Sequence, residues 1–341
     1  MTNLLATASD DSTVRLWEFP QEGLTENFTT EKQKFTGHSK KVGLLAFNPS
    51  VAEVIASASL DNTVNIWNIC NGESYSQLSF TESISSLDWN SNGSLVGIST
   101  KEKLVHIIDP RGNKVDMSVK AHDSGKIQKM AFLTGDYVMS CGFTRSNERQ
   151  IKLYDLRNFG DAISKTPVDT QPGIMTPYFD SDTGLIFLSG RGEGNIKFFD
   201  FSNGTIKLAS EYRGTSTQKG VAMFPKRVMN YNRCEIDRFA KLTNNNTIEY
   251  LSFNIPRRNE GYDANIYPEC LSGEPGLNVE EWIKGENKEP LRKNITKIEN
   301  VWNAGNEMQF EIKQVVVEEV KLSEEEKEVK YFSLIFLRFN I

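Results

Sequence analysis

Short runs in which apolar and polar residues alternate recur along the chain: TVRLW at 13–17, TVNIW at 63–67, QIKLY at 150–154 and NIKFF at 195–199. A period of two, cut off on both sides by Asp, Asn, Gly or Ser, predicts short β-strands joined by tight turns. No stretch between them carries the three-and-four spacing of a long amphipathic helix. The runs are also copies of one another. ATASDDSTVRLW (6–17) returns as ASASLDNTVNIW (56–67), and weaker copies end in Ile108, Tyr154 and Phe199. The marker positions 17, 67, 108, 154 and 199 are separated by 50, 41, 46 and 45 residues. That is the spacing of one four-stranded propeller blade per step.

The second copy carries a polar set as well: His38 behind Gly37, then Ser57, Asp61 and Trp67. In this order the Asp accepts from the His, the His reaches the Ser hydroxyl and the Ser meets the indole N–H, so that every polar atom inside the blade is satisfied. A His–Asp pair is also the start of a catalytic dyad, but the repeat context assigns both residues to cohesion of the blade. His122 is expected to take the same loop role in the fourth copy, and His106, inside a strand, to lie at the surface.

Composition narrows the function classes. The chain has 341 residues, 38% of them hydrophobic, with 24 Gly, enough for a sizeable core. Its net charge of −6, with no long block of one sign, argues against a protein that wraps nucleic acid. The first residues carry neither a basic region nor a useful apolar run, which points to the cytoplasm. YFSLIFLRFNI (331–341) contains Arg338 and is too short to span a bilayer. Four cysteines without CxxC spacing and three histidines are too few for a metal cage, so no metal or cofactor is expected and the thiols read as reduced. GxSxG, HExxH and P-loop patterns do not occur. GRGEGN (190–195) connects two strands and reads as a blade turn, and Asp180, Asp182 and Glu193 as turn residues. The chain is therefore not expected to be an enzyme.

Several segments go beyond the generic repeat: FTGHSKKVGLLAFNP (35–49), WNSNGSLVGISTKEKLVHIIDPR (89–111), GFTRSNERQIKLYD (142–155), PYFDSDTGLIFLSGRGEGNIKFFD (177–200), FPKRVMNYNRCEIDRFAKL (224–242) and IYPECLSGEPGLNVEEWIKGENKEP (266–290). In collinear order these resemble the coronins, actin-binding WD-repeat propellers. The resemblance implies an all-β fold, a WD-repeat β-propeller of an expected seven blades, of which about five and a half to six are visible here. It also implies a further stretch of about a blade and a half before Met1, which leaves ring closure and actin binding as questions for this chain. Residues 1–256 are expected to form the propeller. Residues 257–298 form an extension packing on it, with Trp282 in a wrapping segment that Gly285 and Pro290 suit. Residues 299–341 form an acidic tail. Val315, Leu322, Val329 and Phe336 stand at seven-residue steps, but Glu318 and Glu325 occupy the companion positions, so a short coiled coil and a strand both remain open.

The function implied is a non-enzymatic scaffold on filamentous actin, organising actin filaments in the cytoplasm. The Arp actin-nucleating complex is a further implied partner, and the tail a route to homo-oligomers. An acidic protein meets an acidic filament through local basic groups. Lys40, Lys41, Arg145, Arg149, Lys219, Lys226, Arg227, Arg257 and Arg258 are the candidates, taken as solvent-facing. The alternative is a WD-repeat adaptor for complex assembly without actin binding.

Overall fold

The computed structural model describes residues 4–19, 30–256 and 261–298, together with the backbone of Ile312–Val316. The alternating runs become middle strands of blade-like sheets, and the fold is an all-β WD-repeat propeller fold whose described α-helix is limited to Val279–Ile283. The chain divides into two compact units, 1–170 with 273–291 and 171–272 with 292–341.

The first unit holds four sheets. Three strands of the first are described, Leu4–Ala8, Val14–Glu18 and Gln33–Phe35. The second runs Val42–Phe47, Val54–Ser59, Thr63–Asn68 and Ser74–Ser79. The third runs Ile84–Trp89, Val96–Thr100, Leu104–Asp109 and Lys114–Lys120, and the fourth Lys129–Phe132, Tyr137–Phe143, Arg149–Asp155 and Ser164–Asp169. Each is an antiparallel meander, the pairing that tight turns allow. Val54–Ser59 is buried along its whole length because sheets stack on both of its faces. Gly97 allows a close approach at such a stack, since a Cβ there would lie 2.3 Å from the Met130 methyl and 2.9 Å from the Phe132 ring of the next sheet.

Residues 273–291 fasten across the second and third sheets. Gly276 N–H donates to the Ser50 carbonyl at 2.7 Å, and Val51 bridges Leu277 in parallel. The sequence reading expects an extended wrap here. Instead Asn278 and Glu281 form a reciprocal capping box that winds Val279–Ile283 into a short helix. That helix buries Trp282 among Val54, Trp89, Val96 and Ile98. Its indole N–H donates to the Gly93 carbonyl at 2.9 Å, and Arg111 lies 5.7 Å from the ring while donating to Asn287 Oδ1.

The second unit holds the fifth sheet, Met175–Asp180, Leu185–Gly190, Asn195–Ser202 and Thr205–Arg213, and the sixth, Gln218–Met223, Glu235–Thr243 and Ile248–Asn254. Its core is aromatic: Phe187, Phe198, Phe239 and Phe253 are fully buried, with ring centroids 4.9–5.6 Å apart. The fourth strand of the sixth sheet is Ile312–Val316, and it pairs in parallel with Ile248–Asn254. The pairing is parallel, unlike the antiparallel meanders of the other sheets, and it makes part of the tail a strand of a blade. Leu322, Val329 and Phe336 lie outside the described residues. None of the four cysteines is in a disulfide; Cys70 is exposed and Cys141, Cys234 and Cys270 are buried.

Candidate functional site

The best-formed polar network lies in the second sheet. His38 enters from the loop behind Phe35, where Gly37 is required because a Cβ would come within 2.9 Å of the Trp67 ring. His38 Nε2 is 2.7 Å from Ser57 Oγ, and Trp67 Nε1 donates to the same oxygen at 2.7 Å. His38 Nδ1 lies 3.2 Å from Asp61 Oδ2 and 2.9 Å from Thr63 Oγ1. Asp61 also accepts the Ser39 and Thr63 N–H groups.

Burial holds the His38 imidazole below its ordinary range, with Asp61 offsetting part of that. Burial opposes ionisation of Asp61, but hydrogen bonds from Thr63 and Ser39 outweigh it and hold the carboxyl down at about 2. A neutral histidine enclosed by its partners has no open face toward a substrate, so this group holds a blade together. His122 bonds Ser140 Oγ at 3.0 Å in the fourth sheet, with Gln150 near its Nδ1. His106 is half-buried, bonding Ser118 at 2.6 Å.

The basic candidates separate by environment. Lys40 and Lys41 are exposed on the connector into the second sheet, Lys41 paired with Asp10 at 2.5 Å. Arg145 is exposed on the turn within the fourth sheet. Arg149 is not solvent-facing: it is 2% exposed and grips Asp169 with two guanidinium nitrogens. Arg149–Asp155 is an interior strand, and the register sets Arg149 opposite Asp169 on the outer one. In the second unit Lys219 is exposed and donates to Asn246, and Arg227 is half-buried.

Lys226 also departs from expectation. Its ammonium is buried between Asp180 at 2.6 Å and Asp237 at 3.3 Å. Burial works against that charge, but Asp180, Asp237 and Asp182 hold Lys226 above the usual lysine range. Burial, then Asp180, pushes Asp237 well up. Asp180 is thus more than a turn residue, and Asp182 pairs with Arg292 at 2.7 Å. Removing one member of such a cluster strands a buried charge. Arg257 and Arg258 lie outside the described residues. Among the described residues no group of His, Cys, Asp and Glu could hold a metal ion, and no helix is long and apolar enough to cross a membrane.

Comparison with known proteins bears on what these loops serve. The WD domain, G-beta repeat family matches residues 1–18 and 29–68, and a type of WD40 repeat matches 248–290. Coronin-2A of Homo sapiens is 35% identical over 298 residues, covering 84% of this chain and 56% of its own length. The coronin-like protein crn1 of Schizosaccharomyces pombe is 34% identical over 292 residues, 84% of this chain and 49% of its own. Coronin-A of Dictyostelium discoideum is 32% identical over 291 residues, with 84% and 65% covered. The chain therefore spans about half to two-thirds of these curated relatives. Among solved structures, the WD40 domain of Toxoplasma gondii coronin matches with a TM-score of 0.84 at 32% identity, covering 86% of this chain and 77% of that one.

Proposed function

The chain belongs to the coronin family of WD-repeat proteins, and from that premise we propose that it is a non-enzymatic scaffold binding actin filaments in the cytoplasm. The observation that supports this reading is the exposed basic group Lys40, Lys41 and Arg145, which the interior of the blades does not use. Through such loops a chain of net charge −6 can meet an acidic filament. Arg149 and Lys226 leave the candidate set because their charges are already committed inside the fold. Association with the Arp actin-nucleating complex and oligomerisation through the tail belong to the same reading.

Co-sedimentation with filamentous actin across salt concentrations tests it. Pelleting should weaken as salt rises, because exposed charges are screened beyond about 8 Å at physiological ionic strength. Reversal of Lys40, Lys41 and Arg145 to Glu should reduce pelleting while the melting temperature holds. Unchanged pelleting of the folded variant would move the contact to Lys219, Arg227, Arg257 and Arg258. Absence of pelleting at low salt would favour a WD-repeat adaptor without actin binding.

A further inference from the structure

A second basic group, none of whose members is among the filament candidates, sits where the third and fourth sheets meet. Residues 121–123 connect the outer strand of the third sheet to the fourth sheet, and lysines arrive on this connector from both sheets. Lys152 Nζ donates to the Ala121 carbonyl, Lys103 Nζ donates to the Asp123 carbonyl at 2.8 Å, and Lys120 Nζ lies 3.8 Å from Asp123 Oδ1. Lys165 stands directly opposite Lys152 on the neighbouring strand.

Like charges directly opposite on paired strands are destabilising. The fold here keeps two, with a third ammonium beside them. Burial pulls Lys152 below the usual lysine range, and Lys165 and Lys120 add to the effect while Asp123 opposes it. The same ammonium, after burial, helps keep His122 neutral down to about 4. Among the described residues Asp123 is the one carboxylate within ion-pair distance of these four lysines. A lysine on an outer strand guards a sheet edge, which accounts for Lys165. It does not account for Lys152, on an interior strand and half-buried.

We propose that Lys103, Lys120, Lys152 and Lys165, gathered round residues 121–123, form a binding site for a compact anion carrying clustered phosphate groups. Three of the ammoniums are held to a three-residue connector and the fourth stands across the ladder from one of them, so the positive charge is concentrated rather than spread over a face. Phosphate oxygens accept charge-assisted hydrogen bonds from lysine, and several on one small scaffold match four ammoniums offset by one carboxylate. Binding would relieve the repulsion between Lys152 and Lys165 that folding leaves in place.

The test is calorimetric titration of the full chain with inositol hexakisphosphate, beside poly-glutamate of equal charge. Saturable one-site binding is expected, weakened about tenfold or more in the Lys152→Gln/Lys165→Gln variant and unchanged in Lys40→Gln/Lys41→Gln. Should Lys152→Gln disturb folding, Lys120→Gln/Lys165→Gln repeats the test from exposed positions. Sedimentation with phosphatidylcholine vesicles bearing a bisphosphorylated inositol headgroup separates the sources. Pelleting that depends on the four lysines assigns lipid-borne phosphate, and binding of the free compound alone assigns a soluble one. Absence of both, equal loss in the Lys40/Lys41 variant, or poly-glutamate binding as tightly as the phosphate would overturn the proposal.

Discussion

The second and third sheets are built on one register, yet they place their polar atoms on opposite faces. In the second, Ser57 pairs with Asn65 and Ile55 with Trp67; in the third, Ile98 pairs with His106 and Val96 with Ile108. Ser57 and Trp67 thus correspond to Ile98 and Ile108. Phe80, its ring 5.4 Å from His106, occupies the loop place of His38. On the other face Leu44 pairs with Ala58 in the second sheet, where Ser86 pairs with Ser99 in the third. Ser99 Oγ is 2.5 Å from Ser86 Oγ and donates to the Gln128 carbonyl at 3.0 Å. Ser86 accepts the Met130 N–H at 3.0 Å, and Asp88 accepts the Phe132 N–H at 2.8 Å.

Between these two sheets the polar set is exchanged whole. A half-satisfied network is worse than an apolar core, so histidine, serine and tryptophan give way together to Phe80, Ile98 and Ile108. Cohesion then moves from bonds inside one sheet to bonds between the third and fourth.

Crossing the two patterns one residue at a time should therefore be costly. Ser57→Ile strands the His38 and Trp67 nitrogens and overfills the site, and should lower unfolding free energy by roughly 3–5 kcal/mol in urea titration. A loss below about 1 kcal/mol would show that the second sheet tolerates a partial set. The reverse change, Ile98→Ser, opens a cavity and buries a hydroxyl that lacks both partners of Ser57, for about 2–4 kcal/mol.

Asp61→Ala leaves His38 Nδ1 with Thr63 alone and should cost about 1–3 kcal/mol. Asp11, which stands at the same place in the first sheet but whose carboxylate, among the described residues, bonds its near neighbours Thr13 and Arg15, should give a smaller melting shift when changed to Ala. Equal shifts for the two would mean that His38 does not depend on Asp61. Ser99→Ala should cost only about 0.5–1.5 kcal/mol, since Ser85 keeps the Gln128 carbonyl and Ser86 keeps the Met130 N–H.

Within half a unit of neutral pH the smallest effect is that of titration. Burial, then Lys152, lowers His122 to about 4, so the unfolded chain takes up this proton first and stability falls as pH drops below the ordinary imidazole value. From pH 7 to 6.5 that loss is a few tenths of a kcal/mol. Asp88 has the opposite sign. Burial pushes it up to about 6 against its hydrogen bonds from Phe132 and Trp89, so its contribution is full below the unfolded value and lost as pH rises through 6. Melting curves of His122→Gln and Asp88→Asn between pH 4 and 7 should lose these two slopes separately.

The second sheet was legible because its signature is local: His38, Ser57, Asp61 and Trp67 lie within thirty residues and their types admit few other arrangements. The third sheet was legible only as a spacing, since an apolar replacement leaves no polar mark. Solvent exposure of the basic candidates was not legible. Arg149 is buried by Asp169, twenty residues on, and Lys226 by Asp180, forty-six residues back. A spacing rule for strands ranks both lysine and arginine as polar without saying where a carboxylate waits. The turn of helix at Trp282 did have a signal, Asn278 followed three residues later by Glu281, but the sequence reading rested on Gly285 and Pro290 instead.

Trp282 reaches back 189 residues to donate to Gly93. Synthesis at 5–20 residues per second separates the emergence of these two positions by roughly 10–40 s. Through that interval the apolar slot between Trp89 and Ile98, and the Ser50 carbonyl that later accepts from Gly276 and Leu277, stand open on sheets that can already have paired. The nascent chain thus carries a transient apolar surface that its own late residues close, and the completion of its first unit waits on residues 273–291.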